Sequence, residues 1–286
     1  MHICPLFLTP FFFGSAGSLA IGRHSRKTLI PGLLFHSIVP KPGLNLSQCS
    51  VGIFAKFLKL LNEHHISVET IGSVEKAGLG SVLPKKVFIT FDDGLESVSR
   101  YAIPLLDEFD FKSTVFCVAG FVGKSSTWDV YKESPHMSAT DIRQLSDSGH
   151  EIGSHSQTHA NLPYLNQNDL TSELRESKKN LEDITGKEVK SISFPHGCWN
   201  KRVWDTALEL GYSSATLYRG HDRALDHHYP VISAHCFDSE YSLFEKINLQ
   251  ARFSPSIAFS RIASHFAKGT PLWKFRNNYD VTRSWQ

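Results

Sequence analysis

Short apolar runs alternate with helix-patterned segments between residues 30 and 220, and this alternation limits the folds open to the chain. Runs such as Val87–Phe91, rich in β-branched and aromatic residues and followed by Asp or Gly, predict buried strands. Apolar residues three and four positions apart, as at 51, 54, 58 and 61, predict helix faces. About six strand–helix units in succession predict a parallel sheet covered by helices, either open or closed into a barrel.

The units can be placed on the sequence, and functional residues of such folds lie at the carboxyl ends of the strands. The predicted strands are Leu33–Val39, Val87–Phe91, Thr114–Val118, Glu151–Ser154, Ser191–Phe194 and Tyr212–Tyr218. Beyond the helix that contains positions 51–61, the predicted helices are Ser97–Phe109, Ser138–Gly149, Asn168–Thr185, Lys201–Leu210, Phe244–Leu249 and Ala258–Phe266.

Composition narrows the classes of function. Thirty Lys and Arg against 28 Asp and Glu give a net charge of +2, which excludes a strongly basic nucleic-acid-binding protein and an acidic disordered tail. The chain has 15 His, the commonest metal ligand. Its five Cys are widely spaced and form no CxxC pair, which argues against a disulfide framework or a zinc ribbon and favours a reducing, cytoplasmic location.

The N-terminal residues 3–20 are mostly apolar or small. No Lys or Arg precedes this stretch, and Pro5 and Pro10 interrupt it, whereas a secretory signal carries positive residues ahead of its apolar run. We therefore expect residues 1–29 to be an irregular segment packed on the domain. An export signal or anchor, with an envelope or periplasmic location, is the alternative, and membrane association stays open.

The first candidate site is Thr90–Gly94, in which Asp92 and Asp93 follow an apolar strand. Adjacent carboxylates repel each other, and one pKa rises unless a cation lies beside them. One carboxylate could bind a metal while the other acts as a base. The alternative is an ordinary strand-ending turn, since Asp-Gly is a common turn pair.

The second candidate site is the pair His155 and His159, four residues apart after the run Glu151–Ser154. Two such imidazoles can converge on one metal, and a carboxylate would complete a set with positions open to water and substrate. Ser156 stands where the zinc metalloproteases have Glu, which disfavours that class. Two surface histidines are the alternative.

The third candidate site is Ser193–Gly197, where Pro195 and Gly197 flank His196 at a strand end. A sharp turn here could present His196 or backbone N–H groups to a ligand. An ordinary exit loop is the alternative.

In this order, Thr90–Gly94, Gly149–His159 and Ser193–Gly197 resemble the three motifs of the polysaccharide deacetylase family, the NodB-homology carbohydrate esterases. Leu33–Val39 is similar to the strand that opens exopolysaccharide-processing members. The resemblance covers residues 30–240 and implies an α/β fold, a single-domain distorted (β/α)7-type barrel. We expect residues 241–286 to form a helical extension packed on the same domain.

The resemblance also implies a chemistry. A divalent metal ion would be held by Asp93, His155 and His159, with zinc expected and nickel, cobalt or another divalent ion as alternatives. Asp92 would be the catalytic base, and a backbone N–H near His196, in the turn after Pro195, would hold the oxyanion of an N-acetyl group. The implied partner is an N-acetylated glycan or glycoconjugate, with no nucleic acid.

The general acid does not match a family motif. His235, five residues beyond Pro230, is the nearest candidate, and His36, His196 and His221 are rivals. Two aromatic residues, Trp199 after the third motif and Trp128 before the second, could stack on a sugar or pack in the core.

Three functions remain to be compared. The first is a metal-dependent hydrolase that removes N-acetyl groups from amino sugars of an exopolysaccharide or lipopolysaccharide type. The second is an amide hydrolase of the same fold that acts on a small non-sugar amide. The third is a non-catalytic glycan-binding domain, which an intact Asp92 disfavours because binding alone requires no base.

Overall fold

The computed structural model describes residues 30–43, 45–77, 85–126, 134–218 and 227–247. Within these residues the strands are β1 (Gly32–Phe35), β2 (Ser37–Val39), β3 (Gln48–Ser50), β4 (Ser67–Glu69), β5 (Lys86–Phe91), β6 (Thr114–Cys117), β7 (Ser125–Ser126), β8 (Ser134–Pro135), β9 (Glu151–Ser154), β10 (Ser191–Ser193), β11 (Ser214–Tyr218) and β12 (His228–Ser233). The α-helices are α1 (Val51–Glu63), α2 (Ile71–Ala77), α3 (Ile103–Asp107), α4 (Ala139–Asp147), α5 (Gln167–Thr185), α6 (Lys201–Glu209) and α7 (Glu240–Ile247).

Seven of the described strands close into a parallel barrel. Their order is β1-β12-β11-β10-β9-β6-β5, and β5 pairs with β1 to complete the ring. β4 adds to the amino-terminal half of β5, on the edge that β6 occupies further along. The predicted single-domain (β/α)7-type barrel is therefore confirmed, and all seven strands end at one rim.

The two faces of β5 show how the sequence builds this barrel. Val87, Ile89 and Phe91 pack outward in the large cluster that they form with the surrounding helices. Phe88, between them, contacts Tyr229 of β12 at 5.2 Å between ring centroids, although β1 separates these two strands. That contact crosses the barrel interior, so Phe88 points into the barrel. Because side chains alternate along a strand, every second residue from Phe88 to the carboxyl end of β5 also points inward.

Caps set the ends of two predicted helices. The Ser138 hydroxyl accepts from the Asp141 N–H, and the Asp141 carboxylate accepts from the Ser138 N–H, which is a capping box at the start of α4. Gly186 ends α5 in the left-handed conformation, at φ 67°. Both boundaries agree with the sequence prediction within about one residue.

Three sequence expectations need correction. The predicted strand Leu33–Val39 is interrupted at His36, because β1 joins the barrel while β2 pairs with β3 in a separate sheet. The strand β12 was not predicted. The predicted helix Phe244–Leu249 corresponds to α7, which begins earlier, at Glu240.

Part of the sequence lies outside the described residues, including 1–29, the predicted helix Ala258–Phe266 and most of the predicted extension 241–286. Among the described helices, none combines the length and apolarity needed to cross a membrane.

Gly153 tests the packing of the barrel. A Cβ on Gly153 would lie 2.5 Å from Phe116 Cδ1 and 2.7 Å from Ser191 Oγ. We expect Gly153→Ala to lower the free energy of unfolding by about 1–3 kcal/mol, since added atoms strain a packed interior. Urea unfolding followed by circular dichroism measures the change.

Gly52→Ala is the matched control, because a Cβ there meets no atom within 4 Å and the residue is exposed in α1. It should raise the free energy of unfolding by about 0.4–1 kcal/mol. Equal effects of the two substitutions would contradict the packing described for β9.

Candidate active site

The turn after β5 places the two carboxylates at the barrel rim. The Asp92 N–H donates to the Phe35 carbonyl at 3.0 Å, which continues the β1–β5 ladder by one residue. Asp93 and Gly94 then adopt left-handed φ values of 69° and 66°. A Cβ on Gly94 would lie 2.9 Å from Cys117 Sγ, so the turn requires glycine at this position.

The two histidines of the second motif converge on Asp93. His155 Nδ1 donates to the Ser193 carbonyl at 2.8 Å, which leaves Nε2 as the nitrogen that faces the carboxylate. Asp93 Oδ1 lies 3.6 Å from His155 Nε2 and 3.4 Å from His159 Nε2. One ligand atom from each of the three residues lies within 4.8 Å of the others. The donor set therefore fits a divalent cation.

Burial keeps the two histidines in the neutral form that metal binding requires. Desolvation lowers the pKa of His155 to about 3 and the pKa of His159 well below its usual value, with nearby imidazoles adding to the shift at His159. Both rings are therefore neutral near pH 7, and each offers a lone pair.

Asp92 lies beside the set but in a different environment. It is 3% exposed, and its Oδ2 accepts from Ser193 Oγ at 3.0 Å. Its Oδ1 is buried without a hydrogen-bond partner among the described residues. Burial and then the charge of Asp93 raise the pKa of Asp92 well above its usual value, against the Ser193 hydrogen bond. A buried carboxylate oxygen without a partner beside three convergent ligands is expected where a cation and water belong.

The loop between the two histidines is held from α5. Ser156 and His159 both have φ 63°. The Glu173 carboxylate accepts from the N–H groups of Gln157 and Thr158 at 3.0 Å each and from the Thr158 hydroxyl. These bonds hold the loop in this unfavourable backbone conformation and so orient His159.

The third motif reaches the same place. Pro195–Gly197 forms one 3₁₀ turn, in which His196 has φ 60°. The His196 ring lies 4.6 Å from the His159 ring in an edge-to-face arrangement. The three motifs that the sequence analysis singled out therefore meet at one rim, because β5, β9 and β10 all end there.

Trp199 has an intramolecular role in the structure. Its ring stacks on Phe194 at 6.2 Å and on His228 at 5.4 Å between centroids. The sugar-stacking role predicted for it therefore stays a prediction. Trp128, the other aromatic candidate, lies outside the described residues.

The candidate acids occupy neighbouring strand ends. His235 is buried and lies two residues after Ser233, the last residue of β12, so it continues the alternation of that strand. His36 directly follows β1, the strand that pairs with β12 in the barrel. His235 also stacks on the ring of Phe237 at 5.2 Å. The rival His221 lies outside the described residues.

Two positioning residues, Glu173 and His136, were missed from the sequence, and a third, Ser193, was included in the third motif without a role. Ser193 binds Asp92, Glu173 holds the histidine loop, and His136 Nδ1 donates to the Asp93 carbonyl at 2.8 Å. The role of Ser193 could have been suggested by its place at a strand end. Nothing in the sequence links Glu173 or His136 to the site, because their contacts depend on tertiary packing.

Comparison with known proteins agrees with this site. The sequence model of the family described as polysaccharide deacetylase matches residues 80–215. YxkH of Bacillus subtilis, which bears the name of a polysaccharide deacetylase, is 26% identical over 188 residues, 64% of this chain and 62% of the relative. A poly-beta-1,6-N-acetyl-D-glucosamine N-deacetylase of Staphylococcus aureus is 25% identical over 179 residues, 59% and 61% of the two chains.

The fold has a solved counterpart. A polysaccharide deacetylase from Bacillus cereus superposes with a TM-score of 0.63 at 24% identity, over 76% of this chain and 68% of that chain. The chain spans less than two thirds of the length of the two curated relatives above. The family match over residues 80–215, the closed seven-stranded barrel and the three convergent motifs together show that this chain is similar to the polysaccharide deacetylase family in sequence and in fold.

Proposed function

We propose that the chain is a metal-dependent hydrolase that removes N-acetyl groups from amino sugars of a polysaccharide or glycoconjugate. The observation that carries this proposal is the convergence of Asp93, His155 and His159 beside the buried carboxylate of Asp92. The name of the Staphylococcus aureus relative, which specifies a poly-N-acetylglucosamine substrate, supports a glycan over a small amide.

Asp93, His155 and His159 would hold one divalent cation. Two neutral imidazole nitrogens and a carboxylate suit zinc, and nickel or cobalt also accept such ligands. When bound, a divalent cation polarises an amide carbonyl and lowers the pKa of a water molecule. His155 is kept in one tautomer by the Ser193 carbonyl, which is the orienting contact that metal-binding histidines commonly show.

Asp92 is the proposed base. Its buried Oδ1 can take a proton from the attacking water, while the Ser193 hydroxyl holds Oδ2 in place. The proposed donor to the oxyanion is a backbone N–H near His196, in the turn that follows Pro195. His235 is the proposed acid that protonates the departing amine. Water and the N-acetyl sugar thus give acetate and a free amino sugar.

Asp92→Asn tests the base. The amide keeps the shape of the carboxylate and an oxygen for Ser193, so the fold and the metal set should be unchanged. We expect kcat for acetate release from N-acetylglucosamine oligomers to fall by about 10²- to 10⁴-fold, the usual contribution of a general base. Asp183→Asn, on the exposed face of α5, is the matched control and should keep full activity.

The same assay separates the alternatives. Hydrolysis of small linear or cyclic amides, with inert glycans and metal bound, would contradict the sugar assignment. Equal glycan binding by the wild type and by Asp92→Asn, with no turnover in either, would instead indicate a glycan-binding domain.

Asp93→Ala tests the metal set. It removes the carboxylate that both histidine nitrogens face, so we expect bound metal to fall below one tenth of the wild-type content after dialysis, since losing even an outer hydrogen-bond partner weakens a metal site about 10- to 100-fold. Elemental analysis of the purified protein measures the content. Asp183→Asn should retain its metal, and unchanged metal in Asp93→Ala would overturn the ligand assignment.

A further inference from the structure

We propose that the buried ion pair between Lys246 and Asp238 is a positioning device that holds His235 at the barrel mouth and makes α7 part of the catalytic unit. The inference deepens the proposed function and rests on it, since His235 is the proposed acid.

The pair is buried, and both partners make further hydrogen bonds. The side chains of Lys246 and Asp238 are 0% and 2% exposed, and Lys246 Nζ lies 2.5 Å from Asp238 Oδ2. Lys246 Nζ also donates to the Ser233 carbonyl at 3.0 Å. The other carboxylate oxygen, Oδ1, accepts from the Ser242 hydroxyl at 2.8 Å.

The contacts of the pair converge on the backbone that leads into His235. Asp238 Oδ2 accepts from the N–H of His235 itself at 2.8 Å, and Lys246 binds the carbonyl of Ser233, two residues earlier. The Ala234 N–H, between them, donates to the Leu34 carbonyl of β1 at 2.8 Å. The backbone from Ser233 to His235 is therefore fixed by three hydrogen bonds.

Barrel geometry directs this backbone toward the site. β12 pairs with β1, and β1 pairs with β5, whose end carries Asp92 and Asp93. Inward-facing residues alternate along β12, and His235 continues the phase of Val231 and Ser233 beyond the strand end. A rigid backbone at His235 therefore sets where its imidazole stands relative to the carboxylates across the mouth.

Stability alone gives a weak reason for such a pair. Replacing a buried ion pair by apolar side chains of similar size is often neutral or stabilising, whereas removing one partner leaves an uncompensated charge. Lys246 comes from the last turn of α7, a helix that also packs against α1 and β1. The family match covers residues 80–215, and α7 lies outside it. The ion pair thus connects α7 to the site at the strand ends.

The test removes both charges together, so that no buried charge is left without a partner. In the full-length, metal-loaded protein, the double variant Lys246→Met, Asp238→Leu should lower kcat for acetate release by about 10- to 100-fold, because a misplaced reacting group costs about that much. KM and metal content should stay unchanged. Lys86→Met with Glu69→Leu, an ion pair of 2.7 Å at the opposite end of β5, is the matched control and should keep the wild-type kcat.

A double-mutant cycle separates positioning from a general structural effect. In a His235→Gln background, the Lys246→Met, Asp238→Leu change should cause no further loss of kcat, because its effect acts through His235. An equal fold-loss in both backgrounds, or an unchanged kcat in the wild-type background, would overturn the positioning role while leaving the deacetylase function intact.

A second readout does not depend on turnover. In protein labelled with ¹⁵N-histidine, the double variant should shift the imidazole resonances of His235 and leave those of His155 and His159 in place, whereas the Lys86, Glu69 control should shift none. Unshifted His235 signals would contradict the proposal. A wild-type protein that releases no acetate from any glycan would instead overturn the proposed function, and with it the catalytic part of this inference.

Discussion

The parallel ladder between β1 and β5 closes the barrel, and the arrangement of the site depends on that closure. Gly32 to Phe35 lie opposite Phe88 to Phe91, and the ladder is extended by the hydrogen bond from Asp92 to Phe35. Gly32 permits the close approach of β12 on the other side, since a Cβ there would lie 2.8 Å from Val231 Cγ1. Once the ring is closed, groups on strands that are not neighbours face one another. The Ser193–Asp92 hydrogen bond, between β10 and β5, exists for that reason.

The interior changes character from one end of the barrel to the other. Phe88, Phe116 and Tyr229 fill one level with aromatic rings, together with side chains from α2. Two carboxylates and two imidazoles then meet at the strand ends, where burial opposes the charged forms of Asp92, His155 and His159. A cation at this position would reverse that balance for the carboxylates and use the neutral imidazoles as they stand.

Local sequence patterns predicted the parts of the fold and site that depend on local interactions. The strand Val87–Phe91 and the Asp-Asp-Gly turn after it could be predicted, because buried strands and left-handed turns each have a characteristic amino-acid composition. β12 was missed because Pro230 and His228 disrupt the pattern of a buried strand, and proline within a run argues against one. His235 could be linked to Ser233 only after the pairing of β12 was known. Glu173 and His136 reach the site through tertiary contacts, which no spacing along the chain reveals.

Four residues of the site turns, Asp93, Ser156, His159 and His196, share a left-handed backbone with φ between 60° and 69°. That conformation costs an L-residue about 1–2 kcal/mol and is least unfavourable for Gly, Asn, Asp and His. Backbone shape and ligand chemistry therefore select overlapping sets of amino acids at positions 93 and 159. A related protein that had lost the activity would still need a residue that tolerates the left-handed conformation at positions 93 and 159. β-branched residues would remain unfavourable at both positions because of the backbone alone. Substitutions to Asn or Gly would therefore be tolerated best in such a protein, and the backbone shape of the barrel mouth would persist after the reaction was lost.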